Sequence, residues 1–116
     1  MARTDEDLIT ETVLDYFEGW FEGDAARMER ALHPQLVKRD AEELENTTKP
    51  QMVDATARGV GFERAVGRRI DVDVQVADVY GDAATVVVRT AIYHEYLHLV
   101  RTTGGWRIAQ ALWQFT

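Results

Sequence analysis

The sequence predicts an α+β fold: three N-terminal helices packed on a curved, antiparallel, four-stranded sheet, enclosing a cone. Three observations carry this. Capped apolar stripes of helical period fill the first half of the chain. After Gly67 the apolar period drops to two. The strands then follow one another through tight turns, the pattern of a meander rather than of alternating strands and helices. At 116 residues the chain is expected to be one domain, spanning 1–116.

Thr4 or Asp5 can cap the first helix, whose opening turn holds Asp5, Glu6 and Asp7, favourable at the positive helix end. Ile9, Val13, Tyr16, Phe17, Trp20 and Phe21 form its apolar stripe, and Gly23 suits a left-handed terminus. Asp24 caps a second helix, Ala25 to Leu32, ended by His33-Pro34. Leu36 to Asp40 is a short extended piece, and Ala41 to Asn46 is ambiguous. Thr47 or Thr48 caps a third helix, with Pro50 in its first turn and Gly59 at its end.

Ile70, Val72, Val74 and Val76 alternate with polar or small residues, as a half-buried strand does. Tyr80-Gly81-Asp82 is a turn, Ala83 to Tyr93 a second strand and Tyr96 to Thr102 a third. Thr103-Gly104-Gly105 turns the chain into a last strand, Trp106 to Phe115. The last two strands carry apolar groups on both faces. Leu97 and Leu99 oppose Tyr96 and Val100; Trp106, Ile108 and Leu112 oppose Ala109, Ala111, Trp113 and Phe115. A sheet with one wet face should alternate. The second face is therefore expected to meet another copy of the chain, as a homodimer through the sheet.

Composition removes several function classes. Net charge is −7, concentrated in residues 1–60, and no basic stripe exists, which argues against nucleic acid. With no cysteine and no serine, disulfides, thiolate chemistry and serine nucleophiles are excluded. No apolar run is long enough to span a bilayer, and Met1 to Asp7 is polar and acidic. A cytoplasmic protein with no membrane partner follows as the expectation. Gly59-Val60-Gly61 lacks the lysine and the preceding strand of a phosphate loop, and no cofactor is expected.

Tyr16-Phe17-Glu18-Gly19, Gly23-Asp24 and Ala31-Leu32-His33-Pro34 stand in order at the start of the chain. Gly81-Asp82-Ala83-Ala84, Tyr96-Leu97-His98-Leu99-Val100 and Gly104-Gly105-Trp106-Arg107-Ile108 follow. Together they resemble the nuclear-transport-factor-two-like superfamily, and within it the SnoaL-like and "Putative lumazine-binding" families. The resemblance spans nearly the whole chain. It implies a cystatin-like cone with a pocket that serves isomerases, epoxide hydrolases, cyclases, dehydratases and non-catalytic binders, so fold does not fix activity.

The resemblance also suggests residues for chemistry. In the steroid isomerase branch a tyrosine placed like Tyr16 donates to a developing enolate; the other reading is a core tyrosine bonded to a backbone carbonyl. That branch sets its general base sixteen residues after the Gly-Asp aspartate, where Asp40 stands after Asp24. Lys38, Arg39, Glu42 and Glu43 around Asp40 instead read as surface, and the flanking pattern of the isomerases is missing. His98 stands near that branch's second acid and could donate in its place, or could lie within a dimer contact. His94 and His98 are roughly 13 Å apart along a strand, too far for one metal ion. Trp20, Met52 and Trp113 are expected pocket walls, with His33 a further pocket candidate.

Three functions fit these residues. One is a binder of a small apolar or aromatic organic molecule. A second is a cofactor-independent acid–base enzyme acting on a carbonyl-bearing substrate, with Tyr16, Asp40 and His98 as its catalytic residues. The third is a scaffold whose pocket is filled.

Overall fold

A computed structural model describes residues 2–116. Helix α1 (Asp5–Glu22) starts on a reciprocal cap: the Thr4 hydroxyl accepts from the Asp7 N–H, and the Asp7 carboxylate accepts from the Thr4 N–H. It stops at Gly23, whose φ of 72° is the left-handed conformation. Helix α2 (Ala25–Ala31) is capped by Asp24. Asp15 ties the two helices together, its carboxylate accepting from Arg27 Nε at 3.0 Å and from Arg30 Nε at 3.1 Å.

The chain passes from α2 directly into β1 (Leu32–Asp40), a longer strand than the expected Leu36 to Asp40. The reason is non-local: β1 runs parallel to the final strand, a pairing that no local pattern announces. The register shifts between Leu32 and Val37, and Pro34, which has no N–H to give a ladder, sits in that gap. The ambiguous stretch contains β2 (Asn46–Thr47), paired to β1. Thr48 caps α3 (Lys49–Ala57), with Pro50 in the first turn. Gly59 then starts an additional short helix, α4 (Val60–Ala65).

Strands β3 (Asp73–Tyr80), β4 (Ala83–Arg89), β5 (Tyr93–Thr102) and β6 (Gly105–Phe115) complete a six-stranded sheet of order β2-β1-β6-β5-β4-β3. The expected four-strand meander is its larger part; β1 and β2 extend it. The expected second strand ends at Arg89 because the Thr90 hydroxyl accepts the N–H groups of Ile92 and Tyr93 in a tight turn.

The helices cover one sheet face. Ile9, Val13, Phe17 and Met28 meet Val86, Val88, Leu97, Leu99 and Ile108 in a single core. The opposite face of the single chain is open: Tyr96 and Leu112, direct cross-strand partners, are 47% and 43% exposed. Among the described residues no helix is long and apolar enough to cross a membrane.

Candidate functional site

Two strand positions break the apolar rhythm of the covered face. On β1, Leu36 and Lys38 point inward while Val37 and Arg39 point out. On β5, Glu95 lies in phase with Leu97 and Leu99. Lys38 and Glu95 are both buried, on strands separated by β6, where Trp113 stands opposite Glu95 and Ala111 opposite Lys38.

Tyr16, reaching down from α1, joins them. Its hydroxyl donates to Glu95 Oε1 at 2.9 Å and accepts a short hydrogen bond from Lys38 Nζ. A buried chain of hydrogen bonds thus runs amine, phenol, carboxyl. Lys38 makes no direct ion pair with any acid among the described residues. Its Nζ instead lies 5.0, 5.4 and 5.9 Å from the ring centres of Tyr16, Trp113 and Trp20, a three-sided aromatic cage.

Burial governs the charges. Desolvation lowers the Lys38 amine below its ordinary range; the Glu95 charge opposes this and Arg64 reinforces it. Desolvation raises Glu95, against the pull of Lys38 and the Tyr16 hydrogen bond. Tyr16 is pushed far up, by burial first and then by the neighbouring Glu95 charge. Burial thus moves the amine and the carboxyl toward one another in proton affinity.

These groups line a cavity of about 190 Å³, walled by Phe17, Trp20, Met52, Tyr93 and Trp113, with Arg64 also on its edge. The Tyr93 hydroxyl accepts from Trp20 Nε1 and from Arg64, each at 2.9 Å. With both lone pairs engaged, the capacity that remains to this hydroxyl is as a donor. Larger depressions, such as one of about 640 Å³ between α1 and residues 62–72, are open grooves without a buried titratable cluster.

The sequence candidates separate cleanly in space. Tyr16, Trp20, Met52 and Trp113 line the cavity. Asp40 does not: the strand ends there, and its carboxylate accepts the N–H groups of Glu42 and Glu43, which hold it below the ordinary carboxylate range. His98 faces the open side of the sheet and bonds Gln110 at 2.9 Å. His33 folds back onto the Gln35 N–H at 3.0 Å, outside the cavity. The trio Tyr16, Asp40 and His98 is thus not assembled; Lys38 and Glu95 occupy the places beside Tyr16. Their signal was available as charged residues in phase with core leucines on a strand.

Residues 4–114 match the family described as "Putative lumazine-binding". Solved structures similar to the chain include an NTF2-like protein of unknown function from Shewanella baltica OS155. It shares 17% identity at a TM-score of 0.75, with 99% of this chain and 98% of that one covered. An NTF2-like protein of unknown function from Methylobacillus flagellatus KT has 15% identity and a TM-score of 0.76, covering 100% and 95%. A ketosteroid isomerase-like protein from Erwinia carotovora atroseptica SCRI1043 has 14% identity and a TM-score of 0.72, covering 98% of both chains. At these identities the likeness is one of fold. No curated protein matches.

Proposed function

The chain belongs to the "Putative lumazine-binding" family of the nuclear-transport-factor-two-like superfamily, and from that premise we propose that it binds a small aromatic organic molecule in the cavity beneath α1. The observation that carries this is the cavity's makeup: five apolar or aromatic walls around a hydrogen-bonded line of polar groups, Lys38, Tyr16 and Glu95, with Thr47 and Arg64 also on the lining. Ligand sites combine apolar enclosure with a few placed polar atoms in this way. Size narrows the guest. An engineered cavity of about 150 Å³ takes up benzene, so about 190 Å³ suits one substituted ring.

A second reading is favoured by the amine–phenol–carboxyl chain. It is acid–base chemistry on a carbonyl-bearing substrate, with Glu95 and Lys38 in the roles first given to Asp40 and His98. A phenol between two groups of converging proton affinity can pass a proton in either direction.

The open sheet face supports a third element, a homodimer through Tyr96 and Leu112.

Native mass spectrometry of the purified protein tests the binding reading by detecting retained ligand. Titration with single-ring alcohols and acids, followed by tryptophan fluorescence, tests it independently, since Trp20 and Trp113 form two walls. A chain that carries no guest and whose fluorescence ignores every such probe overturns it.

A further inference from the structure

Lys38 is one of only two lysines in the chain, and the two are placed in opposite ways. Lys49 bonds the Leu32 carbonyl and the Glu29 carboxylate. Lys38 is buried and lines the cavity, and among the described residues its amine bonds the Tyr16 phenol, with three aromatic rings around it. Burying a cationic amine without a direct counter-ion is expensive for stability alone. A methionine would fill the same volume at no such cost.

Building on the binding reading above, we propose that the Lys38 amine is a nucleophile that captures the carbonyl of a small aromatic aldehyde as an imine. The hydrogen-bond chain supplies each proton. Lys38 Nζ donates to the Tyr16 oxygen, and Tyr16 donates to Glu95 Oε1. A proton leaving the ammonium reaches Tyr16 as the Tyr16 proton reaches Glu95, giving a neutral amine and a neutral carboxylic acid. The amine lone pair attacks the carbonyl carbon, and the C=O π pair moves to oxygen. The nitrogen gives one proton to that oxygen, forming the carbinolamine. Glu95, through Tyr16, returns its proton to the carbinolamine hydroxyl. The C–O bond breaks, water leaves, and the nitrogen lone pair forms the C=N bond. One aldehyde and one ammonium become one iminium and one water; no oxidant or reductant is involved.

The site also suits the product. The iminium carries the charge that the ammonium carried, at the same place. The rings of Tyr16, Trp20 and Trp113 that surround Nζ therefore serve both states. The lowered proton affinity of a desolvated lysine favours attack at neutral pH. Tyr93, with its remaining donor capacity at the cavity wall, can hold the carbonyl oxygen as it gains charge.

The experiment uses the 116-residue chain, benzaldehyde and sodium cyanoborohydride, which fixes an imine as a stable benzyl amine. Peptide mass mapping then locates the label. Benzyl alcohol, which cannot form an imine, is titrated in parallel by tryptophan fluorescence. The expected result is one benzyl group on Lys38, with Lys49 and the terminal amine labelled at least tenfold more slowly. Tyr16→Phe, which keeps the ring and breaks the chain, should slow labelling at Lys38 by about 10²-fold or more. Should benzyl alcohol bind while Lys38 reacts no faster than Lys49, the imine is overturned and the binding reading stands. Should neither probe engage the cavity, both fall. The wild-type map decides the matter even where Tyr16→Phe fails to fold.

Discussion

The Tyr16 hydroxyl and Glu95 Oε1, 79 residues apart in the chain, share a buried 2.9 Å hydrogen bond. It joins the first helix to the middle of the sheet and is the only one of Tyr16's two bonds that also holds a carboxyl. Replacing Tyr16 by Phe leaves Glu95 and Lys38 buried without their shared partner. The expected loss is about 1–3 kcal/mol. Urea unfolding of Tyr16→Phe measures it; an unchanged midpoint would mean the chain of bonds is not formed in solution.

Lys38→Met removes a buried charge and keeps its volume but takes from Glu95 the cation that counters its burial, so its net effect should be small, within about 1 kcal/mol. Glu95→Leu should be the less stable of the pair, since the Tyr16 O–H loses its acceptor and the Lys38 charge its nearest compensation. Thermal melts of the two variants give the order directly. The reverse order contradicts the electrostatics described for the cavity.

Gly61 sits where α4 crosses α1. A Cβ there would lie 2.5 Å from Trp20 Cδ1, Nε1 and the backbone oxygen. Because backbone as well as ring is struck, α4 must shift. Gly61→Ala is expected to cost about 1–3 kcal/mol and to move the Trp20 emission, as the indole leaves its bond to Tyr93. Fluorescence and chemical denaturation read both effects.

Asp15 supplies an acid limb. Burial, the largest influence, pushes its carboxyl up, but hydrogen bonds from Arg30 and Arg27 outweigh it and hold the group below 3.8. A folded value below the unfolded one means the stabilisation is complete above about pH 4 and fades as pH falls through the folded value. Asp15→Asn should therefore lower stability at neutral pH and flatten the decline below about pH 4. Unfolding curves across that range show whether it does.

For the open sheet face, Leu112→Glu places a charge beside Tyr96 and should convert a dimer to a monomer in light scattering, with the fold intact by circular dichroism. A wild-type chain that is already monomeric at micromolar concentration removes the dimer proposal.

Much of the architecture could be read from local pattern. The Thr4, Asp24 and Thr48 caps, the Gly23 stop and the alternation after Gly67 are properties of neighbouring residues, and each marks an observed element. The full length of β1 and its place in the sheet escaped, because parallel pairing with β6 is a contact across the length of the chain. The same limit applied to the site. Lys38 sits among Arg39, Glu42 and Glu43, and that run of charge looks like surface. Only its phase with Leu36 betrays the inward direction, and Asp40 shares that phase until the strand ends.

The amino-acid sequence by itself determined the first three helices, the strand rhythm and the Trp20 and Trp113 walls, because caps, periods and turn residues act over a few positions. Which polar groups those walls enclose was decided only by the tertiary structure. Tyr16, Lys38 and Glu95 come from three separate elements. Their meeting depends on where β1 docks against β6 and on how α1 lies across the sheet, and both are set by long-range packing.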